Sequence, residues 1–184
     1  MSRLILISGK QGSGKTTLTR SLCQHYKAKH LKFADPLYEM HEALRNVAQR
    51  NGIPFAEKEG TLLQLLGTEW GRKVKGENIW VDSMKSRIKE FLEMLDMPVI
   101  IDDARFKNEI DAFPDSVKIR LVASAEERKR RADGWRDNEQ HPSEIDLDEY
   151  EKIEGKFDLI LDTSTMGKNQ TFGIVVDFLE SKRK

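Results

Sequence analysis

Short apolar runs alternate with longer amphipathic segments along the chain. An apolar run bounded by turn residues is typical of a strand buried on both faces, whereas apolar residues three or four positions apart predict a helix. The pattern predicts strands at the following positions: 4–7, 30–34, 99–104, 117–122 and 157–161. The intervening segments predict helices over 17–24, 37–50, 61–72, 79–95 and 107–113, then after Ser124 and around 172–179. The polar stretch 133–155 is interpreted as a loop.

Strands separated by helices favour right-handed crossovers, and therefore an α/β fold with a five-stranded parallel sheet and helices on both faces. Ligands of such sheets bind at the carboxyl ends of the strands. Asp35, Asp102, Asp103 and Asp162 all follow predicted strands. One site built from several loops is therefore expected at this edge.

Residues 9–16 match the pattern G-x-x-x-x-G-K-[ST] at every fixed position, between a predicted strand and a predicted helix. Such a loop cradles phosphates with its backbone N–H groups and with the positive end of the helix. Lys15 is expected to reach the β- and γ-phosphates and Thr16 to hold Mg²⁺. A plain glycine turn is the alternative, which the flanking strand and the Lys-Thr pair disfavour. The residues expected to bind ATP here are Gly12, Ser13, Gly14, Lys15, Thr16 and Thr17.

Two acids end the third predicted strand, Asp102 and Asp103. Carboxylates in this place orient Mg²⁺ or its water in proteins that bind nucleoside triphosphates. One of them could instead cap a helix. The period of the strand does not decide between them, and we favour Asp103 for the metal.

Arginines cluster after the fourth predicted strand. Arg128 and Arg131 lie three positions apart, hence on one helix face, and Arg136 follows them. This spacing suits a lid that closes on a triphosphate and excludes water, although a run of charges is also typical of a solvated helix face. Arg72 and Arg105 are candidates for a second phosphate.

Composition narrows the partners and the compartment. The 184 residues suit one domain, and 31 basic residues balance 31 acidic ones. This balance argues against a general nucleic-acid or membrane partner. The single cysteine, Cys23, excludes an internal disulfide framework and fits a reducing cytosol. No leader pattern or transmembrane-length apolar run is visible, so a soluble, cytoplasmic protein is expected.

Three further segments carry a family resemblance: FADPLYEM, LLQLLGTEWGRKVKGENIWV and DDARFKNEI. Together with the phosphate loop they resemble the bacteriophage-type deoxynucleoside monophosphate kinases. The resemblance implies a P-loop NTPase fold of the nucleoside-monophosphate-kinase kind, with ATP and Mg²⁺ as donor and cofactor and a deoxynucleoside 5′-monophosphate (dNMP) as acceptor. It implies a core of residues 1–35 and 97–184, a helical acceptor-binding insertion of about 36–95 and a lid of about 128–145. A phage-encoded protein would work in the host-cell cytoplasm.

The resemblance also implies residue roles. Lys10 would lie near the transferred phosphoryl group, and Glu109 would support Arg105. The residues implied for the dNMP are Lys10, Asp35, Gln64, Thr68, Glu69, Arg72, Trp80 and Arg105. Catalytic roles are expected of Lys10 and Arg105 from the resemblance, of Lys15 from the loop motif, and of Arg128 and Arg131 from the lid spacing. Arg128 is also expected on ATP, and Thr16 and Asp103 on the metal. Asp162 departs from the family, in which Asn is usual, so the contacts of residues 162–165 with adenine are open.

Two alternatives remain at this point. Another small-molecule kinase of the same fold, such as dephospho-coenzyme A kinase, is mildly suggested by FADPLYEM, but LGTEWGR argues against it. An NTP-dependent switch protein is the other, and the insertion of roughly 60 residues argues for a second small substrate instead. The accepted bases are open, as is the oligomeric state: the helix of residues 80–95 could pack within one chain or across a homodimer.

Overall fold

The structure, a computed structural model, describes residues 3–95, 97–132 and 142–182. Its contacts divide the chain into a larger unit, Met1–Leu31 with Leu92–Lys184, and a smaller unit, Lys32–Phe91. Part of the expected lid, residues 133–141 with Arg136, lies outside the described residues. Within the described residues, no helix is both long and apolar enough to cross a membrane.

The larger unit contains a five-stranded sheet in the described part of the chain, which confirms the predicted α/β class. Its strands are β1 Leu4–Gly9, β2 Lys29–Leu31, β3 Val99–Ala104, β4 Val117–Val122 and β5 Leu159–Asp162. All four neighbouring pairs are parallel, in the order β2-β3-β1-β4-β5. The central strand β1 leads directly into the phosphate loop.

Helices connect these strands along the chain. They are α1 Lys15–Tyr26, α2 Asp35–Arg50, α3 Gly60–Gln64, a π-helix Leu65–Lys75, α4 Ile79–Met94, α5 Lys107–Asp111, α6 Ala125–Arg131, α7 Pro142–Ile145 and α8 Lys168–Ser181. A 3₁₀ turn spans Tyr150–Lys152. These bounds agree with the predicted helices except in the two places described below.

The core of the larger unit lies between the sheet and the pair α1 and α8. Ile5, Ile7 and Ile100 of the central strands pack there against Leu22 and Val175, and all five are fully or almost fully buried. Burying one such side chain stabilises the fold by about 2 kcal/mol relative to leaving it in water. This packing fixes the start of α1, and with it the helical end of the phosphate loop.

The second strand is shorter than predicted, because the chain leaves the sheet after Leu31. The backbone N–H of Lys32 donates to Asp35 Oδ2 at 2.8 Å, so this amide is turned away from strand pairing. Asp35 thereby opens α2 one residue before Pro36, which occupies the first turn of that helix.

The prediction of a plain loop over 133–155 is wrong for the part of it that the structure describes. Residues 142–152 form α7 and the 3₁₀ turn. Leu147 and Tyr150 are buried, and Tyr150 donates a hydrogen bond to Asp111. Two apolar anchors in a polar stretch are enough to fold the segment against the core, although they show no helical period.

The smaller unit contains a π-helix where one α-helix was predicted. Gly76 N–H donates to Gly71 O, five residues back, which is the π pattern. A Cβ on Gly71 would lie 2.4 Å from Cζ2 of Trp80, so only glycine lets this indole lie against the helix. Trp80 is 6 % exposed, and its indole N–H donates to Gly67 O at 2.9 Å. Trp80 thus packs against Gly71 and hydrogen-bonds to the carbonyl oxygen of Gly67.

Candidate nucleotide site

The phosphate loop joins the end of β1 to the start of α1. Gly12 has a φ of 78°, and a Cβ there would lie 2.3 Å from the carbonyl oxygen of Arg128. A Cβ on Gly9 would lie 2.5 Å from Leu121 O and 2.5 Å from Ser13 Oγ. The loop is thus held against β4 and α6 at distances that any larger residue would disrupt.

The side chain of Lys15 folds back onto the phosphate loop. Its Nζ donates to Gly9 O at 2.5 Å and to Lys10 O at 2.8 Å. Burial, and next the charge of Arg105, lower the pKa of Lys15 from 10.5 to about 7. The carboxylates of Glu144 and Asp102 partly oppose this fall. A bound anion would stabilise the ammonium form, so Lys15 is poised to take up a proton with its ligand.

A cavity of about 130 Å³ opens at the helical end of the loop. The residues that line it include Ser13, Gly14, Thr17, Arg131, Thr163 and Met166. Arg131 Nη2 donates to Thr163 O at 2.7 Å, and Thr163 Oγ1 donates to Ser13 O at 3.1 Å. Thr163 therefore connects the loop after β5 to the phosphate loop, a role that its sequence context did not reveal.

Asp162, the position that departs from the resembled family, turns its carboxylate into its own loop. Its Oδ1 accepts from the backbone N–H of Ser164 at 2.8 Å and from the Ser164 hydroxyl at 2.6 Å. These bonds hold the pKa of Asp162 below its usual value. The carboxylate thus shapes the loop whose backbone borders the cavity.

A cluster of alternating charges lies at the other end of the phosphate loop. Lys10 Nζ contacts Asp148 Oδ2 at 2.6 Å, and Arg105 forms an ion pair with the buried Glu144. Glu144 Oε2 also accepts from the backbone N–H of Gln11 at 3.4 Å. Two cations that the sequence assigned to phosphate are therefore held by carboxylates of α7, Glu144, and of the segment that follows it, Asp148.

Glu109 stabilises the turn that presents Arg105. The Glu109 carboxylate is buried and accepts from the backbone N–H groups of Arg105, at 2.7 Å, and Phe106, at 3.1 Å. These bonds cap α5 and fix the backbone of Arg105 relative to the end of β3. The support that the resemblance implied for Arg105 acts here through its main chain.

Asp102 and Asp103 differ in their surroundings. Asp102 is buried and shares its strand face with Ile100, which packs against α1, and its charge reaches Lys15. Its Oδ1 lies 2.7 Å from His30 Nε2. Asp103 points to the opposite strand face and is partly exposed. Asp102 is thus the acid on the face of Lys15, whereas the sequence favoured Asp103.

The oxygen donors near the loop fit Mg²⁺. Among the described residues no group of three or more His, Cys, Asp or Glu side chains could hold a metal ion. Mg²⁺ is commonly bound by only one or two protein oxygens, with water and substrate phosphates completing its octahedron. The exposed Thr16 hydroxyl and a carboxylate at the end of β3 are donors of that type.

Arg128 and Arg131 of α6 have different surroundings. Arg128 is buried; its Nε donates to Ala123 O at 3.3 Å and its Nη1 to Gln11 O at 3.4 Å. It therefore supports the phosphate loop from behind. Arg131 instead borders the cavity and is fixed by Glu127, whose Oε1 lies 2.6 Å from its Nε. A direct contact of Arg128 with ATP stays a prediction.

Four of the residues implied for the acceptor lie on α3 and the π-helix of the smaller unit. Gln64 and Glu69 are exposed, and Thr68 and Arg72 are partly exposed. Arg72 Nη1 donates to Glu77 O at 3.2 Å. Trp80, which the sequence also assigned to the acceptor, is buried beneath this helix, so the structure gives it a packing role.

Asp35, also implied for the acceptor, is held by an arginine that the sequence did not single out. Arg87 of α4 donates to Asp35 Oδ2 at 2.7 Å and to Lys32 O at 2.9 Å. Arg87 falls within an amphipathic helix rich in charges, where nothing marks one arginine as special. Only the fold of the smaller unit brings it to the start of α2.

A glycine loop between a central parallel strand and a helix, with Lys-Thr at its end, defines the P-loop class of proteins, and the sheet has the form found in P-loop kinases. The family model described as "AAA domain" matches residues 5–154, and the chain belongs to that family. No curated protein matches the sequence.

Solved structures share the fold at low sequence identity. A thymidylate kinase from Candida albicans aligns with a TM-score of 0.60 and 14% identity, over 98% of this chain and 92% of that chain. A sugar kinase from Janibacter sp. HTCC2649 gives 0.56 and 16%, over 98% and 95%. A shikimate kinase from Acinetobacter baumannii in complex with shikimate gives 0.52 and 13%, over 97% and 93%. The chain therefore has the fold of small-molecule P-loop kinases.

Proposed function

We propose that the protein transfers the γ-phosphoryl group of ATP to deoxynucleoside 5′-monophosphates, giving ADP and deoxynucleoside diphosphates. One observation carries this proposal: a cavity lies at one end of the phosphate loop and cationic side chains lie at the other. The helical end borders the cavity with Arg131 and Thr163, and the strand end borders Lys10 and Arg105. A triphosphate bound along the loop would thus have a base pocket at one end and cations for a second phosphate at the other.

The donor half of the proposed reaction lies in the larger unit. Adenine would occupy the cavity beside Thr163 and Met166, with Arg131 along its border. The backbone N–H groups of residues 12–17 would bind the phosphates, and Lys15 would move from the loop carbonyls onto them. Thr16 and Asp102 would hold Mg²⁺, which supplies charge neutralisation on the β- and γ-oxygens when bound. Asp103, favoured by the sequence, is the alternative carboxylate.

The transfer itself asks the protein for position and charge rather than for a strong base. The acceptor phosphate is already an anion, and charge spreads over the equatorial oxygens of the γ-phosphoryl group in a loose transition state. Lys10 and Arg105 would neutralise that charge between the two nucleotides. The lid is the proposed means of keeping water from becoming the acceptor.

The acceptor half is proposed for the smaller unit. LGTEWGR, the segment most specific to the resembled kinases, forms the π-helix, and π-helical turns are frequent at functional sites. Gln64, Thr68 and Glu69 would contact the base or sugar, and Arg72 the phosphate. The fold shared with a thymidylate kinase, by name a kinase of a nucleotide, supports this choice of acceptor.

The test is an assay of ADP formation with ATP and Mg²⁺. Separate reactions receive each of the four common dNMPs, dephospho-coenzyme A, shikimate or no acceptor. We expect turnover with at least one dNMP and only background without an acceptor. Turnover with dephospho-coenzyme A alone would identify a different kinase, and equal turnover without any acceptor would identify an NTP-dependent switch.

A matched pair of variants locates the acceptor within this assay. Arg72→Ala is expected to raise the KM for the dNMP about tenfold or more, since one charged hydrogen bond to phosphate is lost. The KM for ATP should stay within twofold. Lys75→Ala, on the same π-helix and exposed, is the control and should leave both values unchanged. A rise in the KM for ATP alone in Arg72→Ala would overturn the assignment of the smaller unit to the acceptor.

A further inference from the structure

Asp148 lies between two cations that come from different parts of the sheet edge. Its Oδ2 accepts from Lys10 Nζ at 2.6 Å, and its Oδ1 lies 3.4 Å from Nη2 of Arg120. Arg120 in turn donates through Nε to Glu151 Oε2 at 2.6 Å. Lys10, Asp148, Arg120 and Glu151 thus form a chain of alternating charges that ends in the phosphate loop.

Arg120 is the anchor of this chain. It lies in the middle of β4, beside Ser8 of the central strand, and is 4 % exposed. Removing a guanidinium from water is costly unless carboxylates compensate its charge, so Arg120 requires the partners that surround it. Because β4 is held on both sides by other strands, the position of Arg120 and hence of Asp148 is fixed by the sheet.

Lys10 needs such an anchor for the role proposed above. A lysine side chain has a flexible four-carbon stem, and its ammonium group carries three donors. One donor directed to Asp148 would restrict the stem while leaving two donors for phosphoryl oxygens. A restricted ammonium group loses less entropy when the transition state forms, which is the usual benefit of a preorganised site.

We propose that Asp148 is a positioning residue that holds the Lys10 ammonium group for phosphoryl transfer, and that Arg120 and Glu151 hold Asp148. This proposal rests on the proposed kinase function and names a residue outside its nucleotide-binding set. It also gives a role to the buried Arg120, which none of the steps proposed above uses.

A neighbouring ion pair shows what an ordinary surface contact looks like in the same segment. Glu149 contacts Lys152 at 2.6 Å, with the two side chains 82% and 66% exposed. Such exposed pairs contribute little to stability. Glu149→Gln therefore removes the same charge one residue away from Asp148, which makes it the matched control.

The first experiment is a double-mutant cycle in kcat with ATP and the best dNMP. Asp148→Asn is expected to lower kcat about tenfold while the KM for ATP changes less than twofold, because the ammonium group is misplaced rather than removed. In a Lys10→Met background the same substitution should change kcat less than twofold. Glu149→Gln should match the wild type.

Two results of this cycle would overturn the proposal. One is a wild-type kcat in Asp148→Asn. The other is an equal loss from Asp148→Asn with and without Lys10, because a merely structural role of Asp148 would act in both backgrounds. Thermal unfolding of each variant shows whether the fold is retained, and Asp148→Glu, which keeps the charge, should recover part of the lost kcat.

A second measurement separates this proposal from the kinase assignment. In ¹H–¹⁵N spectra of lysine ammonium groups at low temperature, the Lys10 signal, identified by its loss in Lys10→Met, should be visible in the wild type. It should vanish in Asp148→Asn and persist in Glu149→Gln. If the spectra behave so but no dNMP is phosphorylated, the kinase assignment fails and the ion pair stands without that role. If dNMPs are phosphorylated and the Lys10 signal is indifferent to Asp148, the positioning role alone fails.

Discussion

At the scale of single residues, the motif predicted the chemistry of the phosphate loop but not the neighbours of each side chain. The roles expected of Lys15 and Thr16 follow from their fixed positions in the motif, because the loop has one way to wrap a phosphate. Arg128 and Arg131 share a helix face, yet one lies beneath the loop and the other borders the cavity. Helical spacing predicts that two residues share a helix face, but not which groups each of them contacts. The difference between the two arginines is therefore visible only in the fold.

The lowered pKa of Lys15 makes ATP binding depend on pH. With a pKa of about 7 in the free protein, the ammonium form is depleted above pH 7, whereas bound phosphate raises the pKa and restores the proton. Between pH 7.5 and 9 the affinity for ATP should therefore fall, by up to about tenfold per pH unit. Isothermal titration in two buffers of different ionisation enthalpy should also show proton uptake on binding.

Lys15→Arg is the control for this pH dependence. Arginine stays protonated throughout this range, so the variant should bind ATP with an affinity that is nearly constant between pH 7.5 and 9. A constant affinity in the wild type, or the same decline in both proteins, would contradict the assignment to Lys15.

At the scale of elements, the π-helix is the clearest departure from the sequence pattern. Leu62, Leu65, Leu66 and Trp70 fit a period of 3.6, so an α-helix was predicted. The spacing of apolar residues does not determine the carbonyl to which each backbone N–H donates. A change from bonds four residues back to bonds five residues back leaves much of the apolar face of the helix in place. Gly71 gave the better signal, since a Cβ at this position would meet the indole of Trp80.

Gly71→Ala tests this contact between helices. The added Cβ would meet the indole and also Leu66 O at 2.8 Å, so the free energy of unfolding should fall by about 2 kcal/mol, as for other overpacked sites. Urea unfolding followed by circular dichroism measures the change.

Gly173→Ala is the comparison for Gly71→Ala. Gly173 lies within α8, and a Cβ there would meet nothing within 4 Å. Alanine should raise the free energy of unfolding by about 0.5–1 kcal/mol through its higher helix propensity. Equal effects at the two positions would mean that the packing of Trp80 does not constrain Gly71.

At the scale of the molecule, the five strands and their parallel sheet followed from the alternation of apolar runs and helices. The order of the strands in the sheet could not be predicted, because an apolar run indicates that a strand is buried but not which strands lie beside it. Neither could the fold of residues 142–152, where Asp148 and Glu151 are brought to the sheet edge by long-range packing. Those carboxylates belong, with Thr163 and Arg87, to the part of the candidate site that the sequence could not predict.

The proposed assignment of ATP to the larger unit and of the dNMP to the smaller unit predicts separate footprints in amide hydrogen exchange. A non-hydrolysable ATP analogue with Mg²⁺ should slow exchange in residues 9–19 and 163–171, which carry the loop and the cavity. A dNMP alone should slow exchange in residues 64–75. Protection of 9–19 by the dNMP, with none in 64–75, would place the acceptor outside the smaller unit.

The central place of β1 has a consequence for the order in which the protein forms during synthesis. Its neighbours are β3 and β4, which end at Ala104 and Val122, so the strand emerges from the ribosome long before either can pair with it. At roughly 5–20 residues per second, residue 104 follows residue 9 by about 5 to 19 s. During that interval the run LILIS stays unpaired and exposed to chaperones. The strand that leads into the phosphate loop is thus translated well before the two strands that pair with it.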